Sequence, residues 1–310
     1  MKIFKKLVSL AIALIFTAAF SVNVFADTIY VYQGYSYVLN NQNQAVIRGV
    51  TASNNSPDLV FPSSIGANEL ATIGLFAFSG DSNLTSVSFE EAEHLKTISA
   101  YAFENCPNLK TVKLSSTIEN IGIGAFSGCT SLDDIDLSVT SLTTVNNAAF
   151  YGCTAIEEVT LPDSVKLIDS FAFANCSSLS KITLGRTVIG IGDAAFNNDN
   201  NLSIYCYYGS YAYNYARNNN IPFVFLDNYK LGDVNMNDYV DIRDVTDIQK
   251  HLAELGDPLD DLKLAAADVD GNGEVDINDA TTIQLYLAEF EVEYPIGEYV
   301  NENTDPEVNS

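Results

Sequence analysis

The sequence is short of positive charge. Fifteen lysines and arginines stand against 40 aspartates and glutamates, a formal net charge of −25 at pH 7. Binding to nucleic acid needs basic patches that neutralise phosphates, so that class of partner is excluded. Histidine occurs only at His94 and His251, which leaves little of the residue that most often does acid–base catalysis. Long apolar runs are also missing, apart from Leu7 to Phe20, and nothing else approaches the ~20 residues that span a bilayer. That one run follows Lys2, Lys5 and Lys6 and precedes Val24-Phe25-Ala26, whose small −3 and −1 residues suit a signal peptidase. Residues 1–26 are therefore expected to be a cleaved signal, leaving a secreted chain with no membrane span.

The acids are unevenly spread. Residues 228–310 hold 21 acids against 4 bases, and residues 27–227 hold 19 against 8. A calcium ion or a basic partner face is the natural counterpart of such a surface.

The middle of the chain is a repeat. The pair Ala-Phe recurs with its phenylalanine at 78, 103, 126, 150, 173 and 196, in steps of 25, 23, 24, 23 and 23 residues. Five residues earlier stands Ile73, Ile98, Ile121, Val145, Ile168 or Ile191, and six residues later Leu84, Leu109, Leu132, Ile156, Leu179 or Leu202. Val112/Leu114, Ile135/Leu137, Val159/Leu161 and Ile182/Leu184 alternate as short half-buried strands should. A unit this short buries its apolar face only by stacking on its neighbours, so a solenoid is expected. Four residues before each phenylalanine comes Gly74, Ser99, Gly122, Asn146, Asp169 or Gly192, residues suited to a tight turn, of which Gly and Asn tolerate positive φ, so a tight corner is expected there.

These columns resemble the BspA-like leucine-rich repeat family, in the pattern A-F-x-x-C-x-x-L-x-x-[IV]-x-L-P, over about 70–205. The resemblance implies a surface or secreted protein that binds something, without naming a protein or glycan ligand. NLSIYCYYGSYAYNYARNNNIPF looks like a closing cap and residues 27–70 like an opening one.

Three features within the repeats have plainer alternatives. Gly190-Ile-Gly192 imitates a dinucleotide fingerprint but falls in the corner column, in phase with Gly122-Ile-Gly124. Cys106, Cys129, Cys153 and Cys176 all lie three residues after the phenylalanine, with Cys206 in the cap. Disulfides between coils and a buried ladder of thiols are both open, the parallel side chains favouring the ladder. Tyr205, Tyr207, Tyr208, Tyr211, Tyr213 and Tyr215 could stack on sugars or close the end of the core.

The acidic region holds two twelve-residue stretches, 35 residues apart, with oxygen donors at positions 1, 3, 5, 7, 9 and 12, the spacing with which a loop surrounds calcium. In the first these are Asp233, Asn235, Asn237, Tyr239 through its carbonyl, Asp241 and Asp244; in the second Asp268, Asp270, Asn272, Glu274 through its carbonyl, Asp276 and Asp279. Position 8 is apolar in both, Val240 and Val275, and would tie each loop to a core. Helical patterns follow: Val245, Ile248 and Leu252, then Ala280, Ile283 and Leu287. Position 12 is Asp rather than Glu, and no clear helical pattern precedes either loop. Position 6 is Gly273 in one loop but Asp238 in the other, which costs about 1 kcal/mol if φ is positive there. The first loop is accordingly expected to hold calcium more weakly.

Loop plus following helix, twice, resembles the type I dockerin family, in D-x-N-x-N-D-x-x-D-I-R-D and D-x-D-G-N-G-x-x-D-I-N-D, over about 230–290. That resemblance implies two Ca2+ ions and a cohesin module of a scaffoldin as partner. It carries recognition positions onto Ile242, Arg243, Gln249, Lys250 and Glu254 in the first half and Ile277, Asn278, Gln284, Leu285 and Glu289 in the second. Three of the five match between halves; Arg243/Asn278 and Lys250/Leu285 do not.

The expected organisation is a signal at 1–26, an opening cap at 27–70, an array with its closing cap at 71–226, a dockerin at 228–290 and an acidic tail at 291–310. The expected fold class is α+β, a short-strand leucine-rich repeat solenoid followed by a small all-α dockerin. The leading function is a non-catalytic component of a cellulosome-type assembly, held at the cell surface through a scaffoldin. A carbohydrate-active enzyme and a free calcium-dependent adhesin are the other readings.

Overall fold

The computed structural model describes residues 28–51 and 55–300; the expected signal and the last ten residues lie outside them. Each coil of the array contributes a short strand to two parallel ladders and a tight turn to a third side. The first ladder joins Asn68–Ile73, Thr97–Ile98 and Asn120–Ile121, and resumes with Thr144–Val145, Leu167–Ile168 and Gly190–Ile191. The second joins Asp58–Val60, Ser86–Ser88, Thr111–Lys113 and Asp134–Ile135, and resumes with Glu158–Thr160, Lys181–Thr183, Ser203–Cys206 and Phe223–Phe225. In-register pairing, such as Ile73 with Ile98 and Ile98 with Ile121, turns each sequence column into a continuous inward row.

The phenylalanine column is the axis of the core. Phe78, Phe103, Phe126, Phe150, Phe173 and Phe196 stack with centroids 5.1, 5.3, 5.6, 5.3 and 5.9 Å apart and planes within 7° of parallel. Identical local geometry in each coil forces the same ring orientation, so offset stacking repeats down the column. Phe61 closes one end edge-on to Phe78, 5.8 Å away, and Tyr215 closes the other edge-on to Phe196 at 6.1 Å. Before the first coil, Tyr30–Tyr32, Tyr35–Leu39 and Ala45–Val50 form an antiparallel meander whose last strand pairs in parallel with Asn68–Ile73.

After the last coil, α1 (Tyr211–Asn218) starts at Ser210, whose hydroxyl accepts the Tyr213 amide at 3.1 Å. Tyr213 is buried, with its ring packed on Phe223 and Phe225. Tyr208 and Tyr215 also pack against the core, so these three form a lid on it, whereas Tyr205 and Tyr207 lie under Lys181 and Arg186 and Tyr211 is exposed.

The corner column corrects the sequence reading. Positive φ falls two residues later than expected, at Phe76, Tyr101, Gly124, Ala148, Phe171 and Ala194, all between 53° and 59°. Gly74, Gly122 and Gly192 are small for another reason: a Cβ there would lie 2.4–2.5 Å from main-chain atoms of the preceding layer, the meander strand for Gly74 and the preceding coil for the other two. Close approach of coils, not backbone handedness, demands glycine at these positions.

The cysteines are free and buried. Each of the four thiols in the repeats donates to the phenylalanine carbonyl of the coil before it, Cys106 to Phe78 and Cys129 to Phe103 at 3.1 Å, Cys153 to Phe126 and Cys176 to Phe150 at 3.2 Å. Burial pushes the Cys153 thiol up to about 12, far from the reactive thiolate. Native protein is expected to resist alkylation by iodoacetamide at pH 8, and to take up five equivalents in denaturant; fast labelling of the folded chain would contradict the buried ladder.

Asp199 occupies the same column one coil beyond Cys176. It is buried, and neither carboxylate oxygen has a hydrogen-bond partner. Burial raises its pKa to about 7, so the folded state binds a proton more tightly than the unfolded chain, whose carboxyl titrates near 3.8. Folding stability is therefore lost as pH rises between these values. Asp199→Asn is expected to melt higher than the parent at pH 8, with the gap closing on acidification to pH 5; a constant gap would remove Asp199 as its cause.

The acidic module has its own core, Leu231, Val234, Val245, Ile248, Ala267, Val269, Ala280, Ile283 and Ile296, with Val240 and Val275 packed against it. Two equivalent helices, α2 (Ile242–Leu252) and α4 (Ile277–Leu287), pack together, and α3 (Asp261–Ala267) leads into the second loop. The sequence pattern missed α3, which has seven residues and no apolar periodicity. Leu252, expected inside, is exposed at 40%. The ends of the module add Tyr229–Lys230 paired antiparallel with Tyr299–Val300. Among the described residues, no helix is long and apolar enough to cross a membrane.

Candidate metal centre and docking face

The two acidic stretches fold identically. The position-1 carboxylate turns inward and accepts the amides of positions 5 and 6: Asp233 from Asn237 and Asp238 at 3.0 and 2.7 Å, Asp268 from Asn272 and Gly273 at 3.1 and 2.9 Å. The position-12 carboxylate is fully buried in both and closes the loop. Asp244 accepts from the amides of Asn235 and Asp241 at 3.0 and 2.8 Å; Asp279 accepts from Val269 and Asp276 at 2.9 and 2.8 Å. Burial lifts both carboxyls above the ordinary aspartate range, against these amide hydrogen bonds, which lower them.

Position 12 is also the third residue of the helix, and position 9 is its N-cap. Asp241 with Asp244, and Asp276 with Asp279, form reciprocal capping boxes. Aspartate at position 12 thus serves twice, closing the loop and accepting the N-cap amide. Asp241 and Asp276 turn toward the helix starts, and the side chain at position 11 reaches back to each: Arg243 Nε lies 2.9 Å from Asp241, and Asn278 Nδ2 lies 3.0 Å from Asp276. Two residues that differ in sequence make the same contact.

The loops are unequal as cation sites. Asp268, Asp270 and Asp279 bring one oxygen each to within 4.8 Å of one another. In the first loop the position-3 residue is Asn235, whose amide donates to Asp244 at 2.7 Å and satisfies that carboxylate from within. Both loops have left-handed residues at positions 4 and 6: Met236 (60°) and Asp238 (73°), Gly271 (69°) and Gly273 (89°). The strained Asp238 is braced from outside the loop, its carboxylate taking the Tyr299 hydroxyl at 2.6 Å and its carbonyl the Lys230 ammonium, also at 2.6 Å. Nothing in the local pattern announces this brace, since Tyr299 is 61 residues away. A three-carboxylate, all-oxygen cluster, with Asp279 buried and Asp268 and Asp270 half-buried, suits a hard divalent cation such as calcium.

All ten expected recognition residues are exposed. Ile242 (59%) and Ile277 (57%) stand at equivalent helix starts. At the far ends, Glu254 (φ 54°) and Glu289 (φ 62°) take left-handed conformations, and the next amide bonds back five residues, Leu255 to Lys250 at 2.8 Å and Phe290 to Leu285 at 3.0 Å. This cap lifts Leu255 and Phe290 into solvent, a matched apolar pair that the 35-residue offset would have revealed.

A family model for the BspA type leucine rich repeat region matches six copies, over residues 58–144 and 135–222. The chain belongs to the BspA-type leucine-rich repeat family. A second model, the dockerin type I domain, matches residues 231–288, which span both loops and α2 to α4. No curated protein matches the chain. Among solved structures, a leucine rich cell surface protein from Faecalibacterium prausnitzii A2-165 is 28% identical over 58% of this chain and 55% of its own, with TM-score 0.47. The T. pallidum leucine rich repeat protein is 23% identical over 57% of this chain and 71% of its own, with TM-score 0.38. A leucine-rich repeat protein from Eubacterium ventriosum is 17% identical over 52% and 49%, with TM-score 0.41. The chain thus spans about half the length of the first of these. Its leucine-rich repeats and its dockerin account for most of the described residues.

The two modules touch. Tyr213 of α1 donates its hydroxyl to Asp261 of α3 at 2.6 Å, and Arg217 stands 3.6 Å from the same carboxylate. Asp227 in the connection pairs with Arg186 and accepts the Tyr208 amide.

Proposed function

We propose that the chain is a secreted, non-catalytic component docked onto a scaffoldin of a cellulosome-type complex, through calcium-dependent binding of its dockerin to a cohesin module, and that its repeats present a binding surface. The observation that carries this reading is the duplication: two loops with donors at the same positions, matching capping boxes and exposed helix faces, 35 residues apart, as a dockerin presents them to a cohesin. Both matched regions belong to non-catalytic families. The twelve donor residues, six between Asp233 and Asp244 and six between Asp268 and Asp279, would hold two Ca2+ ions, which neutralise buried acids that otherwise repel one another. The ten exposed helix residues, extended by Leu255 and Phe290, would meet the cohesin.

Capture of secreted and cell-wall proteins by the full chain, in calcium and in chelator, tests this. Recovery of a cohesin-bearing protein only in calcium is the expected result. Saturable calcium binding with no cohesin recovered would favour a free adhesin, and hydrolysis of a plant polysaccharide would favour an enzyme.

The first site is expected to be the weaker, because Asp238 holds a left-handed conformation and Asn235 already occupies Asp244. Competitive calcium titration of Asp233→Ala and Asp268→Ala variants checks the order: the site left by Asp268→Ala should bind more weakly than the site left by Asp233→Ala.

A further inference from the structure

Both strand ladders break at the same coil boundary. Asn120–Ile121 pairs only backward and Thr144–Val145 only forward, and Asp134–Ile135 and Glu158–Thr160 are unpaired in the same way. The third side stays closed there, with the Phe126 amide on the Ala149 carbonyl at 2.9 Å and the Gly128 amide on the Tyr151 carbonyl at 2.7 Å. The coil concerned runs one residue longer between Leu137 and Val145 than its neighbours do between Leu114 and Ile121 or Leu161 and Ile168. The result is a wedge, hinged on the turn side and bridged at one edge of the first-ladder side by Ser141, whose amide donates to the Ile118 carbonyl and whose hydroxyl donates to the Ser116 carbonyl, both at 2.9 Å.

On the first-ladder side the wedge is a cleft of about 630 Å3. Its lining residues are all polar: Thr97, Glu119, Asn120, Ser141, Thr143, Thr144 and Asn146. Elsewhere in this ladder a carbonyl accepts two amides of the next coil, as Lys96 does from Glu119 and Asn120, and Thr143 from Lys166 and Leu167. Across the break neither Thr143 nor Thr144 donates to Glu119. The Asn146 side chain stands in for the next main-chain bond, giving its amide to the Ile121 carbonyl at 2.6 Å. Among the described residues, the hydroxyls of Thr97, Thr143 and Thr144 have no protein partner. Glu119 is paired with Lys96 at 2.5 Å, so the cleft offers no free cation.

We infer that this cleft is a ligand site of the array and that it takes a neutral oligosaccharide. Hydroxyls, a free carbonyl and free amides on one wall supply the mixed donors and acceptors that sugar hydroxyls require. The volume lies within the ~300–1,000 Å3 usual for small-ligand sites. No aromatic or aliphatic anchor lines it, as a peptide hot spot would need. The net charge of −25 repels anionic glycans.

The inference rests on the reading of the array as a binding surface, and its test uses no cohesin, so failure here leaves the docking reading standing. Isothermal titration would use the full chain in calcium with cellotriose, xylotriose and maltotriose, and trigalacturonate as the anionic control. At least one neutral trisaccharide should bind, trigalacturonate should not, and a Thr97→Val/Thr144→Val double variant should bind about tenfold more weakly with an unchanged melting temperature. Asn120→Ala serves as a second variant with the same expectation if the double variant melts early. Absence of binding by all three neutral probes at millimolar concentration, equal binding of trigalacturonate, or unchanged affinity in the variants would overturn the inference.

Discussion

Phe126→Ala is expected to destabilise the array by ~3–5 kcal/mol and to split its unfolding into two transitions. Phe126 is fully buried between Phe103 and Phe150, 5.3 and 5.6 Å from its neighbours. In a stacked array, stability is a sum of coil terms and nearest-neighbour interfaces, and cooperativity survives only while each interface is strong. At the boundary after Phe126 both ladders are broken, so ring stacking, the turn-side hydrogen bonds and the few bonds made by Ser141 and Asn146 carry the coupling. Phe173→Ala removes the same ring where both ladders are intact, and should lower stability without dividing the transition. Urea unfolding followed by circular dichroism, with hydrogen exchange to locate each half, distinguishes the two variants. A single shared transition in both would mean that the ladder break does not weaken coupling.

The second large effect is expected at the loop-closing aspartates. Asp279→Ala removes an oxygen of the three-carboxylate cluster, a capping-box partner of α4 and the acceptor of the Val269 and Asp276 amides in one step. Loss of a cap costs ~1 kcal/mol and each orphaned buried amide ~1–3 kcal/mol, before any loss of calcium. The acidic module of this variant is expected to melt well below the parent and to stop responding to calcium at the second loop. Asp279→Asn keeps one oxygen and a similar shape, and should recover part of the melting temperature but little of the calcium response. Calorimetry with and without calcium reads both quantities. Equal calcium-induced shifts in parent and Asp279→Ala would show that the second loop binds no ion.

Much of this was legible in the sequence because it is local or periodic. A phenylalanine every 23–25 residues announces a stacked column, since no single coil buries its own ring. The loop donors are legible because a calcium loop is one short continuous segment whose side-chain order is its geometry. Features that depend on contacts between coils were misread or missed. The corner glycines were assigned to backbone handedness, yet Gly122 answers to Ala100 in the preceding coil, and the left-handed residue is Gly124. Arg243 and Asn278 differ as letters and agree as contacts, because each reaches an N-cap carboxylate two residues back.

By itself, the sequence determined the repeat, its thiol and phenylalanine columns, and the two acidic loops with their helices, all set by spacing along the chain. The tertiary structure alone decided where the ladders part, which buried acid lacks a partner, and that Tyr299 braces Asp238. Those outcomes turn on register and on atoms brought together from distant segments: one extra residue before Val145 displaces a strand, a column of thiol donors ends at Asp199, whose carboxylate has no donor to meet, and a terminal strand folds back across the first loop.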